Sequence, residues 1–255
     1  MRQLRREKRM SEKRIEKIRC PKCGGEHEFT IWNRINTELD PDLREKVISG
    51  ELFRTVCPSC GQTIDVIYPC LYHQMGDKFM IYYAPGQEAM RQAVEAFREG
   101  TEEIGIKRGS GPDEEGYTYR VVGSLYDLQE KIAIFEAGLD DRVIEICKVY
   151  IGSELQESQK TADFDDLRYY RDQNGHDRIA LMKEGNAFAS SAFPRDLYKG
   201  ISEHYKALIE RHGGETVIDM NWVMNSVSEE EKNSDHKGIS SALGGVFPDS
   251  KEKKI

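Results

Sequence analysis

An α+β fold is predicted for this chain. Its N-terminal part is β-rich and carries two Cys-x-x-Cys units. A helical hairpin and a mixed α+β C-terminal region follow. Three observations predict it. Short alternating apolar runs cluster before residue 86. Apolar residues at helical spacing then take over within 88–99, 125–135 and 143–150. Strand-like runs flanking Asn174-Gly175 follow, and then another helical pattern.

Taken in order, residues 1–19 hold nine Lys/Arg and three Glu, a net of +6. Only Leu4, Met10, Ile15 and Ile18 are apolar there, so the segment reads as a charged helix or frayed extension, with residues 1–14 a basic tail. His27–Ile35 reads as a strand, with Phe29, Ile31 and Ile35 on one side and Trp32 on the other. Asp40-Pro41-Asp42 opens a short helix near Leu43–Ile48 that Gly50 stops. Gln62–Tyr68 and Phe79–Tyr83 are strands, the second ended by Ala84-Pro85-Gly86.

Glu88–Glu99 places Met90, Val94 and Phe97 on one helical face. Residues 100–116 read as a linker, and Tyr117–Val122 as a strand. Ser124 to Asp127 has the form of a capping box, opening a helix with Leu125, Leu128, Ile132 and Phe135 in register. Gly138 ends it in a left-handed conformation, and Asp140 or Asp141 caps the next helix, its antiparallel neighbour. Phe164–Arg171 and Arg178–Lys183 flank Asn174-Gly175 as a tight hairpin, and Ala187–Ser191 completes a meander. Pro194 opens a helix bearing Leu197, Ile201, Tyr205 and Leu208, stopped by Gly213-Gly214. Val217–Met224 is a final strand or buried segment, and residues 228–255 a flexible tail. The domain reading is a tail over 1–14, a cysteine-bearing domain over 15–86, an α+β region over 87–227 and the tail beyond.

The six cysteines carry the chemistry. Cys20-Pro21-Lys22-Cys23-Gly24 and Cys57-Pro58-Ser59-Cys60-Gly61 are near-identical units separated by 33 residues. Two Cys-x-x-Cys pairs supply the four thiolates that tetrahedral Zn²⁺ takes, and a closed four-sulfur shell is structural rather than catalytic. The proline fixes φ in each turn and the glycine after the second cysteine permits a positive φ. One structural zinc per chain is expected, held by Cys20, Cys23, Cys57 and Cys60 in a zinc ribbon with a helical insertion. A redox pair of the thioredoxin type would sit after a strand at a helix N-terminus, whereas here strand-like segments follow both units. Cys70 and Cys147 sit in apolar settings and read as buried hydrophobes. His27 and His73 read as partly exposed surface histidines beside an already complete shell.

These residues resemble a known family. The doubled Cys-Pro-x-Cys motif, the order strand–insertion–strand and the run Tyr68-Pro69-Cys70-Leu71-Tyr72-His73 are similar to the CpXC domain of bacteria and archaea. The specific part covers residues 15–86, with weaker similarity over Arg120–Tyr150. The resemblance implies a prokaryotic source and zinc on the same four cysteines. It implies no reaction.

Composition narrows the function. The 255-residue chain has a formal charge of −8 and is 38% hydrophobic, enough for a sizeable core. It holds no run of the ~18 apolar residues that a membrane span needs. The N-terminus has no apolar stretch of the kind a secretory signal needs, so a cytoplasmic location is expected. Residues 20–86 carry six Lys/Arg and nine Asp/Glu, which disfavours phosphate-backbone binding by the ribbon. A protein partner is therefore expected, with the exposed parts of Leu71, Tyr72, Tyr82 and Tyr83 as a candidate surface, although such aromatics are more often core than interface. One alternative is weak nucleic-acid binding by the basic tail. The other is an enzyme whose active site, in the C-terminal half, follows no known motif. Asp140-Asp141 reads as helix capping, His176-Asp177 as turn polarity, and His204 and His212 are spaced too far apart for a zincin pair. No catalytic residue is named.

Overall fold

The computed structural model describes residues 11–99, 116–157 and 163–233; the side chains of Glu99 and of residues 228–233 are excepted. The expected linker at 100–115, residues 1–10 of the basic tail and residues 234–255 lie outside the described residues. The chain divides into two compact units, Met1–Lys131 and Ile132–Ile255.

The first unit is built on a five-stranded sheet in the order β1-β2-β5-β6-β7. Its strands are β1 (Glu12–Arg19), β2 (Glu26–Asn36), β5 (Cys70–Gln74), β6 (Phe79–Tyr83) and β7 (Thr118–Val122). β1–β2 and β5–β6 are antiparallel, while β2–β5 and β6–β7 are parallel. A small second sheet pairs β3 (Arg54–Val56) with β4 (Thr63–Asp65). Helix α1 (Asp42–Ile48) buries Leu43 and Val47 and ends before Gly50, whose φ of 75° only glycine adopts at no steric cost. Helix α2 (Gln87–Glu99) packs on β7 through its Phe97 face, with Phe97 edge-on to Tyr119. The sheet thus continues past residue 86, because β7 pairs along the whole of β6.

β1 is a correction to the expected charged helix or frayed end. Lys13 to Arg19 pair residue by residue with β2, and Lys13 lies over the Trp32 ring. Ile15 and Ile18 fall on opposite faces of this strand, so no apolar alternation marked it. Its Lys and Arg residues guard a sheet edge against pairing with other strands.

Helix α3 (Leu125–Glu136) begins as expected, with the Ser124 hydroxyl accepting the Asp127 N–H at 3.1 Å. It stops at Gly138 with φ 67°. In helix α4 (Asp141–Glu157), Asp140 caps the start by accepting the Arg142 N–H at 2.9 Å. Residues from α3 and α4 enter the second unit's core, among them Ile134, Val143, Ile144, Ile146 and Cys147.

The second unit's sheet is a meander in the order β10-β9-β8, from β8 (Asp166–Arg171), β9 (Asp177–Lys183) and β10 (Asn186–Ala192). The β8–β9 connection is wider than the expected two-residue turn. Asp172 N–H donates to the His176 carbonyl around a three-residue loop whose last position, Gly175, has φ 77°. The single helix expected after Pro194 is two, α5 (Arg195–His204) and α6 (Lys206–Arg211), broken at Tyr205. Of the expected strand or buried segment at 217–224 the buried reading holds, with Ile218, Trp222 and Val223 buried, but the segment is a loop and the first turns of helix α7 (Met220–Asn233) rather than a strand. Asp219 caps it through the Trp222 N–H, and Trp222, Val223, Ser226 and Val227 form its buried face. That helix also takes in residues 228–233 of the expected tail.

Candidate metal centre

Each Cys-x-x-Cys unit forms the turn of a hairpin. Cys20–Cys23 lie between β1 and β2, and Cys57–Cys60 between β3 and β4. The two turns are hydrogen-bonded alike. Cys20 N–H donates to Gly25 O at 2.8 Å and Gly24 N–H to Cys20 O at 2.9 Å. Cys57 N–H donates to Gln62 O at 2.8 Å and Gly61 N–H to Cys57 O at 2.9 Å. Gly24 and Gly61 take φ of 74° and 68°, the left-handed conformation the motif requires. Neither unit opens a helix, so the arrangement of a thioredoxin-type redox pair is not present.

Aromatic packing brings the hairpins together. Phe53 and Tyr68 flank the β3–β4 hairpin at its base and stack at 4.9 Å between ring centroids. Tyr68 meets Phe29 of β2 edge-on, Phe53 meets Tyr83 of β6 edge-on, and the Tyr68 hydroxyl donates to Leu52 O at 2.7 Å. Sequence reasoning missed this clamp. Its members are scattered through the chain, and only their placement before and after the knuckles hinted at it.

The four cysteine sulfurs lie within 4.8 Å of one another. Contacts run across the knuckles, Cys20 to Cys60 and Cys23 to Cys57, each at 3.7 Å. A tetrahedron with Zn–S bonds of about 2.3 Å has edges of about 3.8 Å, so this cluster fits a four-sulfur metal shell. Cys20 and Cys57 are buried, Cys60 is intermediate and Cys23 exposed.

The surroundings favour the ionised thiol at two of the cysteines and oppose it at a third. The Cys23 N–H holds the Cys20 thiol below its ordinary range against the opposing effect of burial. Burial opposes ionisation of Cys57, but the Ser59 and Cys60 N–H groups and neighbouring sulfurs bring it down to about 6. Cys60 receives help from the Gln62 N–H, yet burial and the other three sulfurs push it up to about 11. Near neutral pH a bound metal must therefore displace at least the Cys60 proton. Metal affinity is expected to rise with pH in this range and to fall more steeply below about pH 6, where Cys57 also takes a proton. Competition titrations with a chelator at several pH values measure that slope.

Gly25 is pinned between the knuckles. A Cβ there would stand 3.2 Å from Ser59 Oγ and 3.3 Å from Cys23 Sγ. Gly25→Ala is expected to weaken metal binding by about tenfold, the effect of ~1–2 kcal/mol of crowding. Adding Ser59→Gly restores part of the loss, and chelator competition on the single and double variants checks both.

The other sequence candidates lie outside the cluster. Cys70 and Cys147 are fully buried as expected, and burial raises both thiols, Cys147 to about 12. His73 corrects the expected surface histidine: it is 5% exposed, with Nε2 at 3.1 Å from the Tyr117 hydroxyl. His27 is half-buried on β2 opposite Ile18, and its ring nitrogens make no hydrogen bond. Leu71, Tyr72 and Tyr83 take the core role that such aromatics more often have rather than forming a docking surface, since Tyr72 packs on Phe79 and Tyr83 on Phe53. In the second unit, a cavity of about 420 Å³ is lined by residues including His212, Glu215, Asp219 and Trp222; His212 Nδ1 sits 2.7 Å from Glu215 Oε1.

Fold and site together define an α+β protein in which two hairpin turns bring four thiols into one cluster that could hold a metal ion. The chain belongs to the CpXC family. The family model, described as CpXC protein, matches residues 18–148, just over half of the chain. That match contains both knuckles, four strands of the five-stranded sheet with only the last two residues of β1, and the first half of α4. No curated protein and no solved structure matches it. Among the described residues, no helix is long and apolar enough to cross a membrane.

Proposed function

We propose that the chain is a zinc-stabilised protein-interaction module of a cytoplasmic prokaryotic protein. The observation that supports the metal reading is the clustering of Cys20, Cys23, Cys57 and Cys60 on two matching turns, with all four sulfurs within 4.8 Å of one another. Zinc suits an all-thiolate shell and supplies a structural cross-link between the hairpins. The four sulfurs fill its coordination, so the site has a folding role rather than a catalytic one.

The interaction reading rests on what the second hairpin exposes. Val56 and Ile67 are 57% and 73% exposed beside the ion pair of Arg54 with Asp65. Arg54 pairs with Asp65 and Val56 with Thr63 across the hairpin, which puts Val56 and the ion pair on one face. An apolar residue flanked by a fixed ion pair suits a protein surface better than a phosphate backbone. The acidic balance of residues 20–86 points the same way.

Two measurements test the proposal. Elemental analysis of the purified chain is expected to find about one zinc per chain. Affinity capture with the wild type and with Val56→Asp/Ile67→Asp, both zinc-loaded, is expected to recover a protein partner with the wild type alone. Salt-sensitive binding to nucleic acid, unaffected by this double substitution, counts against the reading and favours the basic tail.

A further inference from the structure

The two halves of each knuckle differ in access. Cys20 and Cys57, the first cysteines of the pairs, are each 1% exposed, whereas Cys23 is exposed and Cys60 intermediate. The sulfur of each buried cysteine touches that of the more exposed cysteine of the opposite knuckle, Cys57 against Cys23 and Cys20 against Cys60, both at 3.7 Å. An oxidant arriving from solvent therefore meets Cys23 first, with Cys57 as the sulfur beside it.

We propose that Cys23 is a peroxide-modification site and that Cys57 resolves it, so that oxidation opens the ribbon. This rests on the zinc reading above. In the first step the Cys23 thiolate attacks a hydroperoxide, here hydrogen peroxide. The O–O bond breaks, sulfur is oxidised to the sulfenic acid, and the peroxide's other oxygen leaves, taking a proton to become water. In the second step the Cys57 thiolate attacks the Cys23 sulfur and the S–O bond breaks. Hydroxide leaves and takes a proton as water, and a Cys23–Cys57 disulfide forms. Two thiolates and one peroxide become one disulfide and two waters. With two of its four ligands consumed, the chain no longer holds the metal.

The geometry favours a link across the knuckles over other products. The two sulfurs are already in van der Waals contact and must close from 3.7 Å to the ~2.05 Å of a disulfide. Cys70 and Cys147, both 0% exposed, lie outside the cluster and serve as internal controls that stay reduced.

The test uses the full-length protein. Zinc content is measured first, and substoichiometric hydrogen peroxide is then added with dimedone, which traps sulfenic acids. Peptide mass spectrometry is expected to place most of the dimedone adduct on Cys23. Without dimedone, the first disulfide mapped is Cys23–Cys57, and zinc appears in solution in step with it. Cys23→His keeps a metal-binding ligand while removing the accessible thiol, and is expected to slow peroxide-driven zinc release at least tenfold. A zinc-loaded chain whose adduct spreads evenly over the four cysteines, or whose first disulfide lies within one knuckle, overturns this inference and leaves the zinc reading standing. A chain isolated without zinc overturns both.

Discussion

Cys57→Ser is expected to abolish stable zinc binding and unfold the ribbon. Cys57 is 1% exposed and belongs to the four-sulfur cluster, and its thiol is the one brought down to about 6. A serine hydroxyl does not ionise near neutral pH and binds zinc poorly, so three ligands remain around a site shaped for four. Structural zinc contributes on the order of 10–16 kcal/mol in small zinc modules. A whole domain is stable by only about 5–15 kcal/mol, so losing even a third of the metal's contribution is decisive. Elemental analysis should fall from about one zinc per chain to near zero. The melting temperature of the first unit should drop by about 10 °C or more. Cys70→Ala, by contrast, is expected to leave zinc content unchanged, because that thiol lies outside the cluster. A Cys57→Ser chain that keeps its full zinc would sink the assignment.

The second large effect is expected at Asp177, in the C-terminal unit. Its side chain is 13% exposed and ties three elements together. Oδ1 accepts the Tyr169 hydroxyl of β8, Oδ2 accepts Arg195 at the start of α5, and Arg171 stands 3.6 Å away. Burial, and then this carboxylate, raise the Tyr169 phenol well above its ordinary range, so the phenol stays a donor. Removing the carboxylate takes this partner from Arg195 and this acceptor from the phenol of the 1%-exposed Tyr169. Asp177→Ala is expected to cost about 2 kcal/mol, mostly for the buried phenol that loses this acceptor, because Arg195 and Arg171 are 45% and 40% exposed and their ion pairs contribute little. Tyr169→Phe, which removes one hydrogen bond and leaves the ion pair, is expected to cost about 1 kcal/mol. Urea denaturation of the three proteins measures both. Zinc content should not change, since none of these residues belongs to the metal cluster.

The two sites differ in how far the sequence revealed them. The metal cluster was legible because its chemistry is written in local spacing. Two residues between cysteines set a turn, glycine at the next position sets its φ, and two such turns make four ligands. The Asp177 hub was not legible. His176-Asp177 reads as ordinary turn polarity, and its partners Tyr169 and Arg195 come from a different strand and a helix start. Helix α7 was missed for another reason. Its cap, Asp219 with Trp222, is a local signal, but Val217 and Ile218 just before it mimic the start of a buried strand.

By itself the sequence determined what local physics decides: an α+β chain, most of its element positions, the left-handed glycines, and four thiols set in two matching turns. The tertiary structure alone decided what depends on partners distant along the chain. β1 exists only because β2 offers it a register. The sheet runs on to β7 because β6 pairs with it. Phe29, Phe53, Tyr68 and Tyr83 hold the two hairpins side by side. That packing sets which sulfurs touch, Cys20 with Cys60 and Cys23 with Cys57, and which face solvent. Spacing in the chain names the ligands, but their contacts and access follow from burying aromatic surface between segments far apart in sequence.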